Sequence, residues 1–199
     1  MATQKIKRGY RKTRYILYKE TLIDFKEQFW SFLGSFVGIG ILSYIQTKHF
    51  SGNDAVYLIG SFGASSVLVY GIIQSPFSQP RNLIGGHLIS AFIGVSVNYL
   101  IPNTVWIAAP LAVSLSIVFM QITKTLHPPG GATALIAIIG SEKIKSLGYW
   151  YLVSPTLVGV FILFVTALIF NNMTPSRQYP SHSTYHKYYH KIRKRLTKQ

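Results

Sequence analysis

The sequence predicts an all-α membrane protein with six membrane-crossing segments, arranged as two inverted three-helix repeats with a short or broken helix in the second. Three observations carry this. Hydrophobic residues are 49% of the 199-residue chain and charged residues only 13%, yet the net charge is +15. Soluble domains carry about 25% charge, so this composition argues against a soluble enzyme, and its apolar content argues against a disordered chain. The charge is also segregated: of 20 Lys and Arg, eight lie within residues 1–28 and seven within 173–199. Between these basic ends the chain divides into apolar runs, and similar sequences recur there in the same order. The chain contains no cysteine, which excludes disulfides, thiolate metal sites and cysteine nucleophiles.

Residues 1–26 form a basic arm, expected to lie on the cytoplasmic membrane surface as an amphipathic helix. They do not read as a cleavable signal, because no apolar stretch follows until a full-length run begins at residue 27. A crossing helix needs about 20 mostly apolar residues. Residues 27–47 supply this and stop at Lys48 and His49, and residues 54–73 supply it again. A polar, Pro-rich connector follows, with Ser75, Pro76, Ser78, Gln79, Pro80, Arg81 and Asn82. The third run is 83–101, ended by Pro102, and the fourth is 104–123, ended by Lys124. The last long run, 149–171, ends at Asn171, Asn172 and Pro175. A basic tail, 173–199, completes the chain.

Between the fourth and last runs lies a short apolar piece, entered through His127, Pro128 and Pro129 and closed by Gly140. As helix, 127–140 would rise only about 21 Å against a core of about 30 Å. A buried half-helix or broken span is expected, since irregular backbone at membrane depth survives inside protein. Lys/Arg-rich flanks stay cytoplasmic, so two basic ends require an even number of crossings. Six satisfies this, with Arg81 and Lys124 inside and Lys48, Lys143 and Lys145 outside. The expected location is a prokaryotic cell membrane, with both termini cytoplasmic.

The repeat rests on three matches in one order, the first being that the first and fourth runs each extend from a Trp to a Gln, Trp30 to Gln46 and Trp106 to Gln121. Gly63-Ala64-Ser65-Ser66-Val67-Leu68 resembles Gly131-Ala132-Thr133-Ala134-Leu135-Ile136, and Leu88–Ile93 resembles Leu157–Ile162. The halves are about 27–101 and 104–172, and an odd number of spans per half makes the repeat inverted. Inverted repeats commonly build transporters whose site lies where Gly/Pro-interrupted segments meet. Here those segments hold Gly60, Ser61, Gly63, Ser65 and Ser66 in the first half and His127, Pro128, Pro129, Gly130, Gly131 and Thr133 in the second. Free N–H groups and the positive dipole end make a helix N-terminus receptive to anions. A small-anion site between two such termini is therefore expected, with Ser and Thr hydroxyls as added donors. Close packing is the alternative use of small residues in spans, and it is the expected role of Gly34/Gly38 and of Gly86, Ser90 and Gly94.

His127-Pro128-Pro129-Gly130-Gly131-Ala132-Thr133-Ala134 resembles the motif that names the HPP family of integral membrane proteins. The resemblance extends to Gly60–Ser65, to Ser75-Pro76 with Gln79-Pro80-Arg81-Asn82, and to Gly85-Gly86-His87, covering about 27–172. It implies a small multi-span membrane protein, and nitrite as the anion, since some members are implicated in nitrite transport in chloroplasts and cyanobacteria. Regulatory CBS domains of other members have no counterpart in these residues. The family's usual description as four-span differs from the count of six.

Single residues divide between site and scaffold. His127 and His87 either donate to an anion and titrate near neutral pH or satisfy backbone at the breaks. Asn98 is an intramembrane polar group of the same two kinds. Arg81, at the cytoplasmic mouth, attracts an anion, binds a headgroup or sets topology. The basic ends point to anionic lipid headgroups, at about 1 kcal/mol per Lys or Arg near the surface, rather than to nucleic acid. His182, His186 and His190 share a spacing of four but have no carboxylate beside them. The spans hold no internal acid, and neither a P-loop nor HExxH occurs, so no enzyme activity, cofactor or metal is expected. A structural or regulatory membrane subunit is the first alternative to a transporter or channel, an intramembrane enzyme the second, and a homo-oligomer is allowed.

Overall fold

A computed structural model describes residues 25–181; the predicted surface helix of the N-terminal arm and the His182/His186/His190 series lie outside the described residues. The described chain is all-helical. Helix α1 spans Phe25–His49, α2 Asn53–Ser66, α3 Pro80–Leu100, α4 Val105–Ile122, α5 Gly130–Ile139, α6 Glu142–Ser146 and α7 Leu152–Phe170. Four of these, α1, α3, α4 and α7, are long and apolar enough to cross a membrane. Helix α2 runs on without a break into a wide π-helical segment, Val67–Gly71, a path of about 27 Å. Helix α5 has ten residues, about 15 Å, which agrees with the short element expected from the sequence.

The apolar pattern decides which helices are central. Helix α3 is buried over 50% of its most apolar stretch, whereas α1 is buried over only 17%. On α1 the buried positions Gly34, Gly38, Leu42 and Gln46 recur every fourth residue, so one narrow stripe faces inward. Phe25, Phe29, Phe32 and Phe36 face outward, as lipid-facing side chains do. A Cβ on Gly34 or Gly38 would strike the Tyr70 ring. That seam is therefore filled from within the chain and presents no bare face to a second copy.

Helix α5 packs against α3 and α4. Space for this comes from small residues. A Cβ on Gly86 would meet His127 and the Thr125 carbonyl, and one on Gly94 would meet the Ala134 backbone. A Cβ on Gly130 would lie 2.7 Å from Ser90 Oγ and 3.0 Å from the Gly86 carbonyl. The expected packing role of Gly86, Ser90 and Gly94 is what the structure shows.

The Pro-rich connector is a capping device. Ser78 Oγ donates to the carbonyls of Leu68 and Ile72, both at 2.8 Å. Gln79 Nε2 donates to those of Ile73 and Ser75 at 2.9 and 3.0 Å. Backbone oxygens released where the π segment ends are thus satisfied by side chains of the connector. Pro80 then starts α3 at its first turn, where no donor is lost.

Two departures from expectation concern breaks. The segment Gly60–Ser65 is not a broken helix N-terminus: it lies in the middle of continuous α2, whose start is at Asn53. Glycine alone does not interrupt a helix whose backbone bonds are kept. Conversely, the run 149–171 is not one regular helix. Ser154 is extended at φ −131°, ψ 123°, because a residue preceding proline, here Pro155, is pushed out of the helical region.

The start of the predicted tail also departs from a solvated segment. Arg177 is 4% exposed. Its Nη1 donates to the Glu27 carbonyl and to Ser31 Oγ, both at 2.9 Å. Its Nη2 donates to the Tyr70 carbonyl at 2.9 Å and to Asn171 Oδ1 at 2.7 Å. Tyr179 OH donates to the Ser78 carbonyl at 2.7 Å. Residues 173–181 therefore tie together the adjoining ends of α1, α2 and α7.

Candidate functional site

Five residues predicted as site residues meet in the interior from three directions. Helix α2 supplies Ser61 and Ser65, α3 supplies His87, and the loop and first turn of α5 supply His127 and Thr133. All five are at most 4% exposed, with His87, His127 and Ser65 at 0%. Ser61 and Ser65 fall four apart and so share one face of α2. The small residues at Gly86 and Gly130 let α5 approach α3 closely enough for Thr133 to reach His87.

The hydrogen bonds form one array. Ser61 Oγ lies 3.0 Å from Thr133 Oγ1, and Thr133 Oγ1 lies 2.7 Å from His87 Nδ1. His87 Nε2 lies 2.8 Å from Ser65 Oγ, which lies 3.0 Å from His127 Nε2. His127 Nδ1 lies 2.8 Å from the carbonyl oxygen of Phe77. At the other end, Ser61 Oγ lies 3.3 Å from the carbonyl of Pro129. The two imidazole centroids are 4.9 Å apart, and the Phe62 ring lies 5.5 Å from that of His87. No carboxylate takes part. Asp54 lies elsewhere, its carboxylate accepting from the Ser141 backbone N–H at 2.9 Å and from the Ser141 hydroxyl.

The remaining predicted residues are placed differently. Gly60 and Gly63 face open space: a methyl group at either would have nothing within 4 Å, and one at Gly131 would meet only Val113 at 3.7 Å. Ser66 Oγ donates to the Gly63 carbonyl of its own helix at 2.7 Å. Pro128 is exposed, while Pro129 is buried and contributes its carbonyl. Arg81 is exposed and its Nη2 donates to the Thr123 carbonyl at 2.7 Å, bracing the loop that leads to His127. Asn98 sits toward the far end of α3, half-buried.

The expectation of two converging helix N-termini is corrected. Besides α2 being continuous, the first-turn amides of α5 are already taken. Gly130 N–H donates to the His127 carbonyl at 2.9 Å, Gly131 N–H to that of Pro128 at 3.1 Å, and Ala132 N–H to that of Pro129 at 3.1 Å. The Pro-Pro turn folds its own carbonyls onto these donors, so side chains rather than backbone amides are the polar groups presented to the interior.

Two participants are not evident from the sequence. Tyr151 OH donates to the Thr133 carbonyl at 3.0 Å from the segment before the α7 break. Phe77 enters only through its backbone oxygen, which no side-chain pattern reports. The one signal for Tyr151 is its place four residues before Pro155.

Comparison with known proteins agrees with this architecture. The family described as "HPP, transmembrane region" matches residues 20–180. Two Dictyostelium discoideum proteins, each named only as a transmembrane protein, are 44% and 42% identical over 160 residues. Those stretches cover 79% of this chain and 56% and 51% of the two relatives. The chain thus spans about half the length of the curated relatives it matches. The expected prokaryotic membrane finds no support in these relatives. No solved structure matches the chain. With four helices long and apolar enough to cross a membrane, the HPP motif at the head of α5 and a family match across nearly all the described residues, the chain belongs to the HPP transmembrane-region family of membrane proteins.

Proposed function

We propose that this chain is a membrane transporter or channel for a small monovalent anion, nitrite by family resemblance, and that it is not an enzyme. The anion is handled by the hydroxyls and imidazoles of Ser61, Ser65, His87, His127 and Thr133. The observation that carries this reading is the convergence of these five buried polar groups inside an apolar bundle, with no acid among them. Intramembrane polar clusters mark pathways by default, and a cluster of donors without a carboxylate does not repel an anion.

The chain crosses six times as two inverted repeats, with α2 and α5 as the two shorter crossings and both termini cytoplasmic. The basic ends, together with Arg81 and Lys124, give the inner side its excess of positive charge over Lys48, Lys143 and Lys145 outside. The basic ends hold anionic headgroups.

The test is nitrite influx into proteoliposomes containing the purified chain, with nitrate, formate and chloride as competitors. Saturable uptake above that of empty vesicles is expected. No flux of any of these anions, from folded protein, would remove the transport reading. The closure of the array favours a second reading, in which the five residues lock the helices of a structural or regulatory subunit, and that same absence of flux would support it.

A further inference from the structure

We infer that Ser61, Thr133, His87, Ser65 and His127 form a one-proton store, an array with two complete hydrogen-bonding patterns that differ by one proton and by the sense of every bond between Ser61 and His127. Donor and acceptor capacity fixes the neutral pattern, and it fixes the loaded one once the charge is placed on His127, whose Nδ1–H is held by the Phe77 carbonyl. The Phe77 oxygen only accepts, so His127 carries a proton on Nδ1 in every state. When His127 is neutral its Nε2 must accept, and Ser65 Oγ–H is the donor in reach at 3.0 Å. Ser65 then accepts from His87 Nε2–H, His87 Nδ1 accepts from Thr133, and Thr133 accepts from Ser61. Every member is satisfied, and all bonds run from Ser61 toward Phe77.

Adding one proton at Ser61 Oγ reverses the pattern. Ser61 passes its former proton to Thr133, Thr133 passes its own to His87 Nδ1, His87 Nε2 gives its proton to Ser65, and Ser65 gives its own to His127 Nε2. Each hop breaks one bond to hydrogen and forms the next, and the sum is one added proton and one positive charge on His127. His127 Nε2–H now donates to Ser65, Ser65 to His87 Nε2, His87 Nδ1–H to Thr133, and Thr133 to Ser61. Ser61 turns to the Pro129 carbonyl at 3.3 Å, an acceptor it shares with the backbone N–H groups of Ala132 and Thr133. The contact of Ser65 Oγ with the Ser61 carbonyl at 3.2 Å competes for the same proton and is longer than either contact with imidazole. A carbonyl closes the His127 end and passes no proton onward, so loading and unloading both go through Ser61.

Among the described residues, none in contact with the array supplies a compensating negative charge. Helix α2 presents Ser61, Ser65 and Phe62, α5 presents Thr133, the segment before α7 presents the neutral Tyr151 hydroxyl, and the connector presents the Phe77 carbonyl. Arg81, in the first turn of α3, and Lys124, just after α4, are both exposed. A buried charge requires a partner, and a small anion beside the loaded array supplies one. Resting on the transport reading, this makes the proton and the anion bind together.

The test is nitrogen-15 NMR of histidine-labelled full-length protein in detergent micelles, with His87→Gln and His127→Gln used to assign signals. At alkaline pH, His127 is expected as the Nδ1–H tautomer and His87 as the Nε2–H tautomer. On acidification, a single one-proton step should charge the pair and move the His87 proton to Nδ1. In Ser65→Ala, eluting as the wild type does, the two rings should titrate separately. A His87 already Nδ1–H at alkaline pH, or wild-type rings that titrate independently, overturns the store.

Coupling is read separately, by proton uptake from weakly buffered solution when nitrite is added. About one proton per bound anion is expected, on the balance written above. Nitrite binding without uptake overturns coupling and leaves transport standing. A paired tautomer change with no anion binding leaves the store standing and removes the transport reading.

Discussion

His87 and His127, from α3 and from the loop before α5, share one hydroxyl. Ser65 Oγ lies 2.8 Å from Nε2 of the first ring and 3.0 Å from Nε2 of the second. Removing that hydroxyl leaves two buried ring nitrogens without their common partner, and a buried polar group left unpaired costs about 1–3 kcal/mol. Ser65→Ala should therefore lower stability by about that amount, read as a fall in the thermal midpoint in detergent. An unchanged midpoint would mean that the array is not closed as described.

Arg177 is the second polar centre, and it ties four groups from α1, α2 and α7. Hydrogen bonds to a charged donor contribute about 1.5–3 kcal/mol each. Arg177→Ala should destabilise by about 3 kcal/mol or more. Arg177→Lys should recover little of it, because an ammonium lacks the planar fork that reaches both sides. Recovery of the wild-type midpoint by Lys would show that charge alone matters.

Glycines divide into two sets with opposite expected responses. Gly86→Ala should lose folded protein, since its methyl group would meet His127 and a backbone carbonyl. Gly60→Ala and Gly63→Ala face open space within continuous α2. They should be neutral or raise stability by about 0.5–1 kcal/mol through helix propensity. Folded yield and thermal midpoint across the three variants check this, and loss of fold in Gly60→Ala would restore a structural demand at that position.

Topology is accessible because the chain has no cysteine of its own. Ser51→Cys and Pro102→Cys occupy exposed loop positions on one expected side, and Gln74→Cys occupies one on the other. The first two should react with an impermeant thiol reagent from outside, and the third only after the membrane is opened. Labelling of all three from one side would mean that neither α2 nor α3 crosses, and would contradict three crossings per half.

Much of the architecture is legible in the sequence because span length and charge placement are properties of composition. The runs at 27–47, 83–101 and 104–123 correspond to α1, α3 and α4, and the short piece after His127 corresponds to α5. The cluster is legible in part, since Ser61, Ser65, His87, His127 and Thr133 all stand out as candidates. How they meet is not. Glycine in Gly60–Ser65 suggests a break, but intact helical bonding keeps α2 continuous. The break falls instead at Ser154, where the proline that follows decides the backbone. The Pro-Pro turn suggests open amides, yet its own carbonyls fill them. Arg177 looks in the sequence like one more tail charge, because nothing in the pattern shows that its partners are backbone and side-chain oxygens at the ends of three helices.

Nitrite flux in proteoliposomes of Thr133→Val, with Gly63→Ala beside it, tests the central claim most directly. Valine keeps the shape of threonine and removes the hydroxyl that joins Ser61 to His87, whereas Gly63 lies outside the array. Saturable wild-type uptake is expected, falling several-fold or more in Thr133→Val and persisting in Gly63→Ala. Wild-type flux retained in a folded Thr133→Val protein would contradict an anion pathway through these five residues.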